Sequence, residues 1–349
     1  MSLNFRENGH QRSSNGALSI LILAIIVVTF LTACSGGKEW RQSSGAVWNT
    51  VYNITYEADR DMSDSIQSIY RLVENSLSPF NESSLISRIN RSETDSTDNL
   101  LRHVFAVSNE VCLRSGGKFD PTVSPAVNLW KFGYTGKVAP EQQWEPTRNQ
   151  IDSVLAYVGI ADCQIDSLGR IHKKSLQTTF NFSAVTKGYA CDLVAEMLQR
   201  NGVDNMMVEI GGEVVVRGYN PRNTLWCLQI DAPVEQPDAP THQRLQTIDV
   251  TDCGVATSGN YRNYHQSSRG KVGHTIDPQT GEPCCNDILS VTVIAPTCGE
   301  ADAYATAAMA SPTSNYADSM LVSAGLKGLI VTAPTVEGGK PVVRQFGNL

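Results

Sequence analysis

The sequence is poor in charge, and above all in positive charge. Charged residues make up 18% of the 349 residues, and 28 Lys and Arg face 35 Asp and Glu, which gives a formal net charge of −7 at pH 7. Proteins that bind DNA or RNA through the phosphates usually carry a basic surface. The composition therefore argues against a nucleic-acid partner, while the hydrophobic content of 41% indicates a globular protein.

Cysteine motifs are also lacking, although the chain contains nine cysteines. No two of them have the CxxC spacing of zinc and redox sites, and Cys284 and Cys285 are adjacent. The pattern indicates neither a zinc site nor a disulfide framework, and any disulfide pairing stays open. We expect most of the eight cysteines after Cys34 to be small core residues.

Long hydrophobic runs are limited to one, which extends from Leu18 to Leu31 and leads into "LTAC", ending at Cys34. The run is short for a spanning helix and typical of a signal-peptide core. A small residue before a cysteine resembles a lipobox. We therefore expect residues 1–33 to be a lipoprotein signal peptide, residues 34–45 a lipidated flexible tether, and residues 46–349 one domain. The alternative is an uncleaved membrane anchor, and either case places the domain outside the cytoplasm.

Alternating apolar segments are interspersed with segments of helical spacing. Residues 47–58 predict a strand, the segment from Asn99 predicts a helix that stops at the pair Gly116 and Gly117, and "TTFNF" predicts a strand that leads into a helix ending at Gly202. Two further strands are predicted on either side of Gly211 and Gly212. Because hairpins are more prominent than βαβ units, the pattern indicates an α+β fold with helices packed on mixed or antiparallel sheets.

The Ala-rich segment "GEADAYATAAM" carries Asp302 and Thr306 at positions i and i+4. On a helix this spacing places a carboxylate and a hydroxyl on one face, one turn apart. A preference for acidic residues near a helix start explains Asp302 less well, because the predicted cap is Thr297 and Asp302 falls in the second turn. The pair is therefore a candidate oxygen-ligand site.

Lys187 is predicted near the start of its helix, where the helix dipole disfavours a cation. Together with the small residues around it, the lysine suits an anion such as a phosphate, and the alternative is an ordinary surface lysine. His274 and Asp277 lie in the turn-rich segment "GHTIDPQTGEP". Taken alone, that segment is equally consistent with a simple turn.

Seven segments, taken together and in order, favour a functional interpretation of these residues. In order they are "SPFNESSLISRIN", "GGKFDPTVSPAVNLWKFG", "NFSAVTKGYACD", "VEIGGEVVVRG", "ATSGNYRNY", "HTIDPQTGEP" and "EADAYATAAM". The series resembles the ApbE family of flavin transferases, and the resemblance extends from about Gly45 to Met309. It implies a T-fold-like version of the α+β architecture. It also implies a Mg²⁺-dependent enzyme that cleaves FAD, releases AMP and attaches FMN to a threonine of a target protein.

The resemblance implies a magnesium site made of oxygen ligands. These are the backbone carbonyl of Ala184 and the side chains of Asp302 and Thr306. Ala305 stands where some members of the family have Asp, so it could contribute only its backbone. Oxygen ligation with few protein ligands suits Mg²⁺, which keeps water and substrate phosphate in its coordination sphere.

The resemblance also implies the residues that bind the flavin nucleotide and those that act in transfer. The expected flavin-nucleotide contacts are Trp48, Phe80, Lys118, Phe119, Asp120, Asn181, Lys187 and Ile276. The expected catalytic residues are His274, Asp277 and Lys187, with His274 as a general base for the acceptor threonine or, alternatively, a structural residue. Two departures from the family concern this region, since Asn181 replaces a common Asp and Trp48 a common Met.

Two alternatives to transfer remain open at this point. If water attacks in place of threonine, the same site is an FAD pyrophosphatase that yields FMN and AMP. A lipoprotein that binds flavin without turnover is the other alternative. For a transferase, the resemblance implies flavoprotein subunits of the Rnf complex or of the sodium-pumping NADH:quinone oxidoreductase as acceptors, a lipid anchor in the membrane, and a periplasmic location.

Overall fold

A computed structural model of the chain describes residues 37–133, 139, 142–233, 243–260, 264–268, 270–334 and 339–349. The predicted signal peptide and the predicted lipidation site Cys34 lie outside the described residues. Residues 261–263 of the segment "ATSGNYRNY" also lie outside them. Among the helices of the described ranges, none has the length and apolar character needed to cross a lipid bilayer.

The strands of the described ranges include the pair predicted around Gly211 and Gly212 and several that the sequence did not predict. They are β1 (Glu39–Val47), β2 (Thr50–Ala58), β3 (Gln164–Ile165), β4 (Ile171–His172), β5 (Met206–Ile210), β6 (Glu213–Arg217), β7 (Trp226–Asp231), β8 (Arg244–Val250), β9 (Cys253–Gly259), β10 (Tyr264–Ser267), β11 (Gly270–Gly273), β12 (Ile288–Ala295), β13 (Lys327–Thr332) and β14 (Val342–Phe346).

Eight α-helices occur in the described ranges. They are α1 (Ser63–Leu77), α2 (Leu85–Asn90), α3 (Asn99–Arg114), α4 (Ser124–Leu129), α5 (Arg148–Leu155), α6 (Ser183–Arg200), α7 (Cys298–Met309) and α8 (Ser314–Ser323). The predicted cap of α7 is confirmed, because the Thr297 side chain accepts a hydrogen bond from the backbone N–H of Glu300.

An eight-stranded sheet in the order β1-β2-β5-β6-β9-β12-β13-β14 forms the centre of the fold. Every neighbouring pair in it is antiparallel. The predicted turn between β5 and β6 is confirmed, since Gly211 and Gly212 have φ of 65° and 102°, a region that favours glycine. The α+β class expected from the sequence is thus the observed one.

The two faces of the sheet are covered differently. Helices α6 and α7 pack on one face, and α1 and α3 pack against these helices. Together they bury the largest hydrophobic cluster, in which Tyr56, Ile66, Leu198 and Ile330 are fully buried. The β7–β8 hairpin covers part of the other face, where its residues pack on Val216 and its neighbours. Because α6 and α7 lie side by side on the first face, residues from distant parts of the sequence meet there.

The structure corrects two sequence expectations. Residues 39–45, expected to belong to a flexible tether, lie in β1, which pairs with β2 through a turn at Trp48 and Asn49. "TTFNF" is not a strand. Its alternation is real, since Phe180 and Phe182 are buried, but the backbone of Phe180 bonds with the side-chain amide of Asn90 instead of a strand partner.

The expectation for the cysteines is confirmed for most of them. The eight cysteines after Cys34 are free, and five of them are buried. Cys284 is partly buried, and Cys227 and Cys285 are exposed.

Candidate active site

Helix α7 begins in direct contact with β9 and α6. Gly254 on β9 leaves no room for a side chain, because a Cβ there would lie 2.2 Å from the backbone nitrogen of Cys298. On α6, the buried Asp192 accepts hydrogen bonds from the backbone N–H groups of Cys298 (2.9 Å) and Gly299 (2.8 Å). These contacts hold the start of α7 against α6 and fix the register between the two helices.

This packing brings the three predicted metal ligands together. Asp302 is 3% exposed, and its Oδ2 accepts a hydrogen bond of 3.3 Å from the backbone N–H of Gly188 on α6. Ala184 lies four residues before Gly188, so its carbonyl points along the helix toward the same N–H group. Thr306 follows one turn after Asp302, and its hydroxyl lies 3.4 Å from the Ser258 hydroxyl on β9.

Ala305 has a different environment from these three. It is fully buried within the main hydrophobic cluster. In the described structure it is not among the residues that line the adjacent cleft, unlike Ala184, Asp302 and Thr306.

Lys187 lies one turn into α6 and forms an ion pair with Glu213 on β6. Glu213 is 3% exposed, whereas 37% of the Lys187 side-chain surface is accessible. The Glu213 Oε1 atom makes the ion pair, and the buried Oε2 atom has no hydrogen-bond partner among the residues that the structure describes. Lys187, Glu213 and Asp302 therefore form a cluster of two carboxylates and one ammonium group.

The pKa values of this cluster are shifted by burial and by mutual charge. Burial raises the pKa of Glu213 to about 7, with Lys187 opposing the shift and Asp302 adding to it. Burial likewise raises the pKa of Asp302, against the effects of Lys187 and the Gly188 N–H. Burial disfavours the charged form of Lys187, but the charges of Asp302 and Glu213 outweigh it and raise the pKa of the lysine. The lysine is thus kept cationic.

A cleft of about 450 Å³ opens beside this cluster, and a smaller cavity of about 210 Å³ adjoins it. Ser183 and Lys187 line both. The predicted residues that line the larger cleft are Lys118, Phe119, Asp120, Asn181, Ala184, Lys187, His274, Ile276, Asp302 and Thr306. Most of the predicted site therefore surrounds one space.

Trp48 and Phe80 line the smaller cavity. Trp48 packs edge-on against Tyr70, with ring centroids 5.5 Å apart, while Phe80 is 67% exposed at the rim. An apolar cavity with aromatic walls suits a planar ring system.

Asp277, predicted as catalytic, forms an ion pair with Lys118. The carboxylate lies 2.8 Å from Lys118 Nζ, and the same Nζ donates to Gln279 Oε1 at 2.8 Å. Asp277 is not among the described residues that line the cleft. Its position indicates that it fixes the loop carrying His274, which does line the cleft.

Asp120 and Asn181 use their side-chain oxygens within the protein. The Asp120 carboxylate accepts from the backbone N–H and hydroxyl of Thr122 and from the backbone N–H of Ile160 at 2.9 Å. Asn181 Oδ1 accepts hydrogen bonds from the backbone N–H (3.0 Å) and the hydroxyl (2.6 Å) of Ser183, the first residue of α6. The Asn181 oxygen is thus used for a local turn with Ser183.

Sequence reasoning missed Glu213 and Ser258 as members of the cleft wall. A signal for Glu213 was present, because strand alternation places it on the same face as the buried Val215. A charged residue on the buried face of a strand needs a partner, which the sequence alone did not identify.

No group of three or more His, Cys, Asp or Glu side chains suited to a metal occurs within the described ranges. A cation bound at Asp302 would therefore rely on a single carboxylate, on neutral oxygens and on ligands from outside the protein. That arrangement is compatible with Mg²⁺ and poorly suited to zinc.

Comparisons with known proteins point to one family. A model of the ApbE family matches residues 48–325. A Vibrio cholerae protein named FAD:protein FMN transferase is 31% identical over 299 residues, covering 82% of this chain and 86% of the relative. The Escherichia coli K12 protein of the same name is 31% identical over 292 residues, covering 81% and 78%.

Solved structures have the same fold. The flavin transferase ApbE from Vibrio cholerae superposes with a TM-score of 0.76 at 28% identity, covering 89% of this chain and 98% of that one. The apo form of Pseudomonas stutzeri flavinyl transferase ApbE gives a TM-score of 0.76 at 26% identity, covering 88% and 95%.

Proposed function

The chain belongs to the ApbE family, and on that premise we propose that it is a Mg²⁺-dependent FAD:protein FMN transferase that modifies a threonine of its acceptor. The chain is a flavin transferase, as are the relatives that it matches along most of its length. The magnesium ion and the threonine acceptor are the parts that we add. The observation that supports the magnesium ion is that Ala184, Asp302 and Thr306, three residues with oxygen ligands, line one cleft beside Lys187. The threonine acceptor rests on the family resemblance.

The residues of the cleft fit a magnesium ion. The Ala184 carbonyl, the Asp302 carboxylate and the Thr306 hydroxyl are hard oxygen donors next to open space. The cluster of Lys187, Glu213 and Asp302 has a surplus of one negative charge when all three are ionised, which a cation would reverse. When bound, Mg²⁺ would supply charge stabilisation to the phosphates of FAD.

The protein's own groups would bind and orient the nucleotide. Trp48 and Phe80 would hold the flavin ring in the smaller cavity. Lys187, at the junction of the cavities, would then face the pyrophosphate, and its ammonium group is pre-positioned by Glu213.

The transfer forms a bond between the threonine oxygen and the phosphorus of FMN while the bond to AMP breaks. AMP leaves with the electron pair of that bond, and the proton of the threonine hydroxyl passes to a base. We propose His274 as this base, because it lines the cleft on a loop that the Lys118–Asp277 ion pair fixes. Asp277 would then act by positioning the loop.

The location and the acceptors extend the proposal beyond the described domain. We propose that Cys34 is lipidated after removal of residues 1–33 and that the domain faces the periplasm. Its acceptors would be flavoprotein subunits of the Rnf type or of the sodium-pumping NADH:quinone oxidoreductase type.

The proposal is tested with the full chain in detergent, incubated with FAD and Mg²⁺, with and without a threonine-bearing acceptor domain. Intact-mass spectrometry should show an acceptor gain of one FMN phosphoester, with AMP released, and both should disappear in EDTA. An acceptor whose threonine is replaced by valine is the matched control and should gain nothing. Release of free FMN and AMP with every acceptor would identify a pyrophosphatase instead, and intact FAD would identify a flavin-binding protein without turnover.

A further inference from the structure

Glu213 has a free oxygen in the wall of the cleft. The side chain is 3% exposed, and its Oε1 atom forms the ion pair with Lys187. The second oxygen, Oε2, is buried and has no hydrogen-bond partner among the described residues. A buried carboxylate oxygen that accepts no hydrogen bond destabilises the folded protein. We therefore expect this oxygen to gain a hydrogen-bond donor when a ligand binds in the cleft.

The identity of that partner follows from the charges around it. Glu213 and Asp302 are both buried carboxylates that line the same cleft. The charge of Asp302 raises the pKa of Glu213, and both carboxylates interact with Lys187. When both carboxylates are ionised, one ammonium group does not neutralise them. A divalent cation at Asp302 would remove the surplus negative charge, whereas an anion would add to it.

A direct metal bond is not required of Glu213. Mg²⁺ binds through few protein ligands and keeps several water molecules, each of which donates hydrogen bonds to nearby oxygens. Residues that accept such bonds tune the affinity of the metal without touching it.

We infer that Glu213 is a further member of the cation site, its free Oε2 accepting hydrogen bonds from the hydration shell of a divalent cation held by Ala184, Asp302 and Thr306. The inference rests on the proposed magnesium site. It gives Glu213 two functions, since one oxygen orients Lys187 and the other holds the hydrated cation.

The test measures Mn²⁺ binding to the full chain in detergent without FAD, by electron paramagnetic resonance of free Mn²⁺ at about pH 8, above the pKa of about 7 to which burial raises Glu213. Glu213→Gln should weaken Mn²⁺ binding by about tenfold or more, the usual effect of losing such a partner. Glu209→Gln removes the same charge from the neighbouring strand β5 and is the matched control, expected to change binding by less than about twofold.

A second pair of variants separates the two functions of Glu213. In a Lys187→Met background, Glu213→Gln should again weaken Mn²⁺ binding. If it has no effect there, Glu213 acts only by holding the lysine and the inference is wrong. If Glu213→Gln does not fold, Glu213→Asp is measured in its place. Its shorter side chain keeps the charge but moves the carboxylate away from the cleft, so it should also weaken Mn²⁺ binding.

Failure of the inference is distinguishable from failure of the proposed function. FMN transfer by the unsubstituted chain is measured on the same preparation. Transfer that occurs while Glu213→Gln binds Mn²⁺ normally would overturn the inference alone. A chain that does not transfer FMN but loses Mn²⁺ affinity on Glu213→Gln would overturn the function alone, and a chain that binds no Mn²⁺ would overturn the inference.

Discussion

Gly188 and Cys298 approach each other so closely that a Cβ on Gly188 would lie 2.3 Å from the carbonyl oxygen of Cys298. The contact is between backbones, which cannot rotate out of the way as a side chain can. It joins α6, which carries Ala184 and Lys187, to α7, which carries Asp302. The distance between the two halves of the proposed cation site therefore depends on a position where only glycine fits.

Replacing this glycine should separate the helices. We expect Gly188→Ala to lower the free energy of unfolding by about 1–3 kcal/mol, as overpacking does in other cores, and to reduce FMN transfer. Gly299→Ala is the matched control, because its Cβ would meet its neighbours at 3.5 Å, an ordinary contact. That variant should be unchanged or more stable by about 0.5–1 kcal/mol. Denaturant unfolding measures the stability of both variants. Equal stability would contradict the close packing of Gly188 against Cys298.

Asp302 and Thr306 should matter for transfer more than for folding. Asp302→Asn keeps an oxygen for the Gly188 N–H but removes the charge, so we expect FMN transfer to fall about a hundredfold or more while the melting temperature stays near that of the unsubstituted chain. Thr306→Val should reduce transfer, whereas Thr306→Ser, which keeps the hydroxyl, should retain most of it. Transfer by Asp302→Asn within about threefold of normal would remove Asp302 from the site.

Local patterns in the sequence were sufficient for parts of the site that lie on one element. Asp302 and Thr306 are four positions apart, which predicts that they share one face of a helix, and both line the cleft. The turn at Gly211 and Gly212 and the cap at Thr297 are equally local.

Contacts between distant elements were not predictable in this way. Lys187 and Glu213 are 26 positions apart, and Lys118 and Asp277 are 159 apart. The pairing of these charges depends on how α6 packs on β6 and on where the loop carrying His274 lies. The periodicity of apolar residues in the sequence predicts neither. Asp120 shows the same limit, since its bond to Thr122 is local but its bond to Ile160 is not.

The Lys118–Asp277 ion pair should act as a unit. Only 11% and 17% of the two side chains are accessible, so removing either partner leaves a poorly solvated charge. We expect Lys118→Met and Asp277→Asn each to lower kcat for FMN transfer by about tenfold, and the double variant to be no slower than either. If Asp277 reacted directly with the substrate, Asp277→Asn would slow the Lys118→Met enzyme by a further, comparable factor.

Asp192 should give the fold a pH dependence that can be measured apart from catalysis. Burial raises the pKa of Asp192 from 3.8 to about 6, although the N–H groups of Cys298 and Gly299 oppose the shift. A carboxyl group with a raised pKa in the folded state binds more protons there than in the unfolded chain. Its contribution to stability is therefore present below about pH 4 and is lost as the pH rises through about 6.

The size of the effect follows from the shift. The free energy of unfolding should fall by up to about 3 kcal/mol between about pH 4 and pH 6 through this group. Other groups titrate in the same range, so the measurement is the difference between the unsubstituted chain and Asp192→Asn in urea unfolding. Asn at this position has one side-chain oxygen and can accept a hydrogen bond from only one of the two N–H groups, so the variant should be less stable. Because Asn does not ionise, residue 192 of the variant contributes no pH dependence. The stability difference between the two proteins should narrow as the pH rises from 4 to 6, and a constant difference would show that folding does not raise the pKa of Asp192.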